Sequence, residues 1–156
     1  MQYLFVRASV FDQNLSSWNV SQVTTMKSMF SGASVFNQDI GSWQVGQVTN
    51  MSAMFQDAYA FDQNISSWDV SNVEDFTGLF YDSGATMAFN QNLDSWDTSG
   101  ASNFSYLFNG TNVTNSALTG WTTDTSFTSF SMNAMFEVAL YVPTGIVNWN
   151  LSSGNN

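Results

Sequence analysis

The sequence predicts an α/β repeat solenoid on three observations: evenly spaced tryptophans, a second apolar cluster behind each, and spacing changes confined to turns. All six tryptophans (Trp18, Trp43, Trp68, Trp96, Trp121 and Trp149) stand in one slot of an internal repeat, at steps of 25, 25, 28, 25 and 28 residues. Fixed periods in this range mark stacked architectures in which each repeat contacts mainly its neighbours. On this reading residues 1–156 form a single domain. It comprises a partial repeat at 1–10, repeats at 11–35, 36–60, 61–88, 89–113 and 114–141, and a second partial repeat at 142–156.

Each repeat opens on a phenylalanine slot. The pattern Phe11-Asp12-Gln13-Asn14-Leu15-Ser16-Ser17-Trp18-Asn19-Val20 returns as Phe36 to Val45, as Phe61 to Val70, and as Phe89 to Trp96. Two later copies are degraded: Thr114 and Val142 take the Phe slot, while Leu118, Trp121, Ile146 and Trp149 keep the spacing. In the stretch Asn64 to Val70, Trp68 and Val70 alternate with polar residues, which predicts a short strand and bend. Next comes the cluster Val23, Met26, Met29 and Phe30, repeated as Val48, Met51, Met54 and Phe55, and again as Val73, Phe76, Leu79 and Phe80. Offsets of three and four put such a set on one face of a short helix. Thr24, Thr25, Thr49 and Asn50 stand where an N-cap is wanted. A helix that short is marginal in water by itself, so stacking must cover its apolar face. One extra triplet enlarges the turn Tyr81 to Ala88, and another falls between Trp121 and Met132. Insertions in turns loop outward without shifting the stacked register.

Polar slots stack as well. Asp12, Asn37, Asp62 and Asn90 lie in one column and Gln13, Gln38, Gln63 and Gln91 in the next, predicting a ladder of amides bonded to the backbone of neighbouring turns. The competing reading is a cation strip. The oxygen-rich turn at Asp82-Ser83-Gly84, together with Asp57, makes Asp57 and Asp82 the Ca²⁺ candidates.

The two ends match in phase. Met1, Leu4, Phe5 and Ala8 align with Met26, Met29, Phe30 and Ala33, and Asn156 followed by Met1 would reproduce the Asn50-Met51 junction. No polar cap is evident at either end, so an end-to-end interface is expected, with Met1, Leu4 and Phe5 on one side and Trp149 and Leu151 on the other. Such a heterologous pair of surfaces builds fibres unless the rotation closes a ring. The partner implied is a second copy of the same chain.

Composition narrows the functions. Two basic residues, Arg7 and Lys27, face twelve acids, for a net charge of −10. Nucleic-acid binding needs a cationic footprint that this chain lacks. No run of about 18 apolar residues exists, so no membrane insertion is expected. There is no histidine and no cysteine, which removes His-based triads, thiol nucleophiles and the commonest metal ligands. No glycine-rich phosphate loop follows a strand. The pairs Asp94 with Asp97 and Glu74 with Asp75 could serve as acid and base only in a cleft that perturbs one of them; the chain is read as a non-enzyme with no cofactor apart from the Ca²⁺ just named. Eight Asn-x-Ser/Thr sequons, at Asn14, Asn19, Asn50, Asn64, Asn103, Asn109, Asn112 and Asn150, are glycosylation candidates. Asn109-Gly110-Thr111-Asn112, in a degraded turn, is the first place to expect a sugar. Their bland reading is ordinary polar turn composition copied by the repeat.

The stretch Phe36 to Ala58, with Phe-Asn-Gln-Asp-Ile-x-x-Trp-x-Val-x-x-Val-Thr-x-Met-x-x-Met-Phe-x-x-Ala, resembles the BspA-like leucine-rich-repeat surface proteins. The same repeat type is known as a domain of unknown function in mycoplasma lipoproteins. The resemblance covers nearly the whole chain and is most specific over Phe11 to Phe80. It implies a leucine-rich-repeat-like solenoid of about six repeats, each a short strand plus a short helix, displayed outside the cell. It carries no catalytic residues. Two functions are therefore expected: an extracellular structural protein stacking head to tail in a surface filament, or a cell-surface adhesin binding host protein or glycan. The adhesin would use aromatics outside the repeat slots, namely Tyr59, Tyr81, Tyr106 and Tyr141.

Overall fold

The expected alternation of strand and helix is not what these residues form. The computed structural model describes residues 1–84, 86–111, 113–114, 118, 121 and 131–137. Among them there is no helix, and strand is reduced to four isolated parallel bridges, Thr25 to Asn50, Asn50 to Asp75, Asp75 to Asn103, and Asn103 to Ser131. The α/β solenoid of strand-plus-helix repeats is thus corrected to successive tiers of turns. Each tier meets its neighbour at one bridge residue, and the tiers run 1–24, 25–49, 50–74, 75–102 and onward from 103.

The helix fails for a reason visible in the backbone. Tyr3, Ser28, Ala53, Gly78, Tyr106 and Ala134 share one slot, and all have positive φ, between 52° and 61°. A left-handed residue there ends any right-handed α-turn, and for a non-glycine it costs about 1–2 kcal/mol. Alternate N–H groups then leave the tier. Tyr3, Ser28, Ala53, Gly78 and Tyr106 donate to the carbonyls of Lys27, Ser52, Thr77, Ser105 and Asn133 in the following tier, at 2.8–2.9 Å. Phe5, Phe30, Phe55, Phe80 and Phe108 do the same to Met29, Met54, Leu79, Leu107 and Met135, at 2.8–3.0 Å. The intervening N–H groups close tight turns, as Met29 does to Met26 and Ala33 to Phe30. Tight turns also bring residues three and four apart to one side, so Met26, Met29, Phe30 and Ala33 are all buried as a helix face would have been. The supposed N-caps have no helix to cap: Thr25 Oγ1 accepts from Lys27 N–H and Asn50 Oδ1 from Ser52 N–H, both two residues on.

Aromatic columns fill the interior. Phe5, Phe30, Phe55, Phe80, Phe108 and Phe136 stack with ring centroids 5.4–5.8 Å apart. A parallel column of Phe11, Phe36, Phe61 and Phe89 runs at 5.9–6.1 Å. The two columns touch inside each tier at 4.0–4.1 Å. Tryptophan makes a third column: Trp43 lies on Trp68 and Trp96 on Trp121, within 8° of parallel. Each indole also clips its tier to the one before. The Nε1–H groups of Trp43, Trp68, Trp96 and Trp121 donate to the carbonyls of Leu15, Ile40, Ile65 and Leu93 at 2.8–3.2 Å. Each of these carbonyls also accepts a main-chain N–H within its own turn, as Leu15 does from Trp18, so what the bond satisfies is the buried indole donor.

The extra triplet after Phe80 is absorbed locally. Asp82, only 3% exposed, accepts from the N–H groups of Gly84, Thr86 and Met87 and so ties the enlarged loop to itself. Beyond it, Phe80 and Phe89 meet at 4.0 Å, the spacing of Phe55 and Phe61, so the register is unchanged. The second expected insertion, between Trp121 and Met132, lies outside the described residues.

Three substitutions test this account by chemical denaturation. Trp68→Phe removes the indole donor to Ile40 and should cost about 2–3 kcal/mol; a loss within error would dismiss the clip as a stabilising contact. Gly78→Ala should cost about 1 kcal/mol, since Ala53 and Ala134 already hold that conformation. Gly110→Ala should cost about 3 kcal/mol or more, because a Cβ there would stand 2.1 Å from the Asp82 carbonyl oxygen. Equal costs at the two glycines would refute the packing argument.

Candidate assembly interface

The polar slots form hydrogen-bonded columns along the stack. Asp12 Oδ1 accepts from Asn37 N–H, Asn37 Oδ1 from Asp62 N–H, and Asp62 Oδ1 from Asn90 N–H, at 2.9–3.0 Å. Gln63 and Gln91 each donate Nε2 to the main-chain and side-chain oxygens of Asn37 and Asp62. Asp and Asn alternate here, which keeps an amide between successive carboxylates. Because these oxygens are committed to main-chain donors, the columns are structural ties.

The sequons have a comparable explanation. Asn14, Asn19, Asn50, Asn64 and Asn103 each accept through Oδ1 the N–H of the serine two residues on, at 2.8–3.1 Å. Asp39, Asp69, Asp75 and Asp97 make the same turn with no sequon. An Asx-turn favours Asn or Asp followed two positions later by a small polar residue, and a sequon is one way to write it. Asn14, Asn19 and Asn64 are exposed. Asn50 is half-buried and spends Nδ2 on Asp75. Asn109, expected in an open turn, is 7% exposed with Nδ2 turned toward the Ala134 carbonyl and the Glu137 carboxylate. Asn112 and Asn150 lie outside the described residues.

The calcium candidates are occupied by main-chain donors: Asp57 accepts from Ser83 N–H, and Asp82 holds its own loop. Among the described residues no group of three or more acidic, histidine or cysteine side chains comes together. No helix there is long and apolar enough to cross a membrane.

What remains is the edge of the first tier. Leu4 is 50% exposed, and Met1, Tyr3 and Val6 are also exposed. Phe5, Phe11 and Trp18 are half-buried, whereas their counterparts Phe30, Phe36 and Trp43 one tier on are buried. Met1, Leu4 and Phe5 thus share one open face, while Trp149 and Leu151 lie outside the described residues. Tyr3 and Val6 belong to the same face and were missed, because their slots hold Ser28 and Ser31 in the next repeat and carry no apolar signal. Val10, 89% exposed, projects from the side of the stack with Val35. Elsewhere on the surface, Tyr81 and Tyr106 meet edge to face at 6.3 Å. With Ala53, Gln56, Thr77 and Gly78 they line an open groove of about 330 Å³. Charge is unevenly placed, since both basic residues fall in the first two tiers and the described residues beyond carry only acids.

The family described as Mycoplasma protein of unknown function, DUF285, matches this chain over residues 1–88 and 83–156. It is a BspA-like repeat family. No curated protein and no solved structure matches the chain.

One turn carries a measurable electrostatic signature. The Ser99 hydroxyl and main-chain N–H both bond the Asp97 carboxylate and hold its carboxyl below the usual aspartate range, against a slight opposing effect of burial. A depressed folded-state pKa means stability that is present above the ordinary aspartate value and lost as pH falls through the lowered one. Asp97→Asn keeps the turn acceptor without the titration. Its melting temperature should therefore fall less than the parent's between about pH 5 and pH 2.5; parallel acid limbs would remove the assignment.

Proposed function

The chain belongs to the DUF285 family, whose function is unknown, and from that premise we propose a structural role: an extracellular repeat protein whose units stack head to tail in a surface filament. One observation supports this reading above the rest. The first tier presents Leu4 and Phe5 at an open edge, while Met29 and Phe30, in the same slots one tier later, are completely buried. The interface that holds every described pair of tiers is repeated there with one side open. An apolar edge with unpaired backbone groups is a template for a further tier of the same repeat. The polar ties and turns hold the shape.

The alternative is an adhesin module that takes host protein or glycan in the Tyr81 and Tyr106 groove. Its support is the pair of tyrosines beside Gln56 and Thr77, an apolar face with polar neighbours.

Electron microscopy of the full chain separates the two readings. The native protein should form filaments, and the variant carrying Phe5→Asp and Trp149→Ser should give short soluble units. Long filaments from that variant would move the interface elsewhere. Isolated native particles, with glycan-array binding lost on Tyr106→Ala, would decide for the adhesin.

A further inference from the structure

Deepening the second reading just given, on which it rests, we infer that the Tyr81 and Tyr106 groove receives an arginine side chain presented by a partner protein. The turn slots build this groove across three tiers. Ala53, Gly78 and Tyr106 stand in the left-handed slot of successive tiers, so that column has little side chain at two positions and a large one at the third. A Cβ added at Gly78 would meet only Tyr81, at 3.5 Å, which leaves the floor open. Tyr81 takes the slot that Gln56 holds one tier earlier. The two rings meet at 6.3 Å with their planes 77° apart, and so they wall a corner. The outer ring, Tyr106, is 38% exposed, and Asn133 Nδ2 donates to its hydroxyl at 3.2 Å.

Hydrogen bonding, charge and ring geometry together select the occupant. Thr77 gives its hydroxyl hydrogen to the Asp75 carboxylate at 2.6 Å, so toward the groove its Oγ1 can only accept. The ligand must therefore bring donors. Charge near the groove, among the described residues, is of one sign. The Asp75 carboxylate lies one hydrogen bond behind Thr77, and Asp57, next to Gln56, donates its N–H to the Tyr81 carbonyl at 2.9 Å. Both basic residues of the chain, Arg7 and Lys27, belong to earlier tiers. An anion would meet like charge there, and a cation its complement. The aromatic corner then narrows the cation. A guanidinium is planar, stacks on a tyrosine face and carries five N–H donors in a fixed fork. Stacked in this corner, it would turn donors toward Thr77 Oγ1 and the Gln56 amide oxygen. A compact, strongly hydrated ammonium uses such walls less well. All six lining residues come from one chain, so the site does not depend on stacking.

Citrulline carries a neutral urea in place of the guanidinium at nearly the same shape, which isolates the charge. Binding of acetyl-Gly-Arg-Gly-amide and of its citrulline counterpart to the full chain can be followed through the tyrosine ring signals in NMR spectra. The arginine peptide should shift the Tyr81 and Tyr106 rings and bind about fivefold more tightly than the citrulline peptide. Tyr106→Phe should keep that preference, because the aromatic face remains. Tyr106→Leu and Tyr81→Leu should each cut it to about twofold or less. A preference undiminished in both leucine variants would trace it to general acidity and overturn the site. Equal binding of the two peptides at these rings, lost on Tyr106→Leu, would overturn the arginine assignment and leave a binding groove. Peptides that shift neither ring, alongside Tyr106-dependent binding on a glycan array, would overturn it in favour of a neutral sugar. With no Tyr106-dependent binding of any peptide or glycan, the groove reading falls together with this inference.

Discussion

Every tier of this protein is half-built until its neighbour arrives. About half the main-chain N–H groups of the turn segment leave the tier for the next one, and residues such as Ser28 and Ala53 sit in a left-handed conformation that they disfavour. A tier alone would carry that strain with its donors exposed to water. In the stack, the same donors meet carbonyls at 2.7–3.0 Å and the rings above and below close over the core. Stability is then a sum of nearest-neighbour terms, as in other repeat proteins. This dependence explains why the described residues form no helix: a helix would satisfy its N–H groups internally and leave nothing to join one repeat to the next.

The polar residues perform the same service at the edges of the core. Asx-turns at Asn14, Asp39, Asn64 and Asn92 set the bends, and the Asp12, Asn37, Asp62 and Asn90 column ties each bend to the next. Asparagine and aspartate are interchangeable in the first task because both offer Oδ1 to a main-chain N–H. The aspartates and the sequon asparagines of these turns thus share one structural task.

Much of this was legible in the sequence, and the limits of legibility are physical. Trp43, Phe36 and Met29 could be assigned to the core because burial follows from spacing and apolarity whatever the backbone does. The helix was misread because an i, i+3, i+4 pattern fits consecutive tight turns as well as an α-helix. A glycine signal could have separated the two, but it is patchy: Gly78 alone supplies it in the slot of Tyr3, Ser28, Ala53, Tyr106 and Ala134, and Gly32 and Gly110 share a second left-handed slot with Arg7 and Asp57. At the open edge, Met1, Leu4 and Phe5 were readable from their alignment with the second repeat. Asn109-Gly110 carries the letters of an open turn, yet it packs under Glu137.

That packing bears on how the molecule ages. An asparagine followed by glycine is the dipeptide most prone to spontaneous deamidation, a reaction in which the glycine nitrogen attacks the asparagine side chain. Here the Gly110 nitrogen is engaged with the Glu137 carbonyl at 3.0 Å, and the Asn109 amide is buried beneath the same tier. The attack is blocked for as long as that tier stays seated. Conversion of Asn109 to aspartate or isoaspartate would therefore act as a chemical clock, starting when this part of the stack peels away.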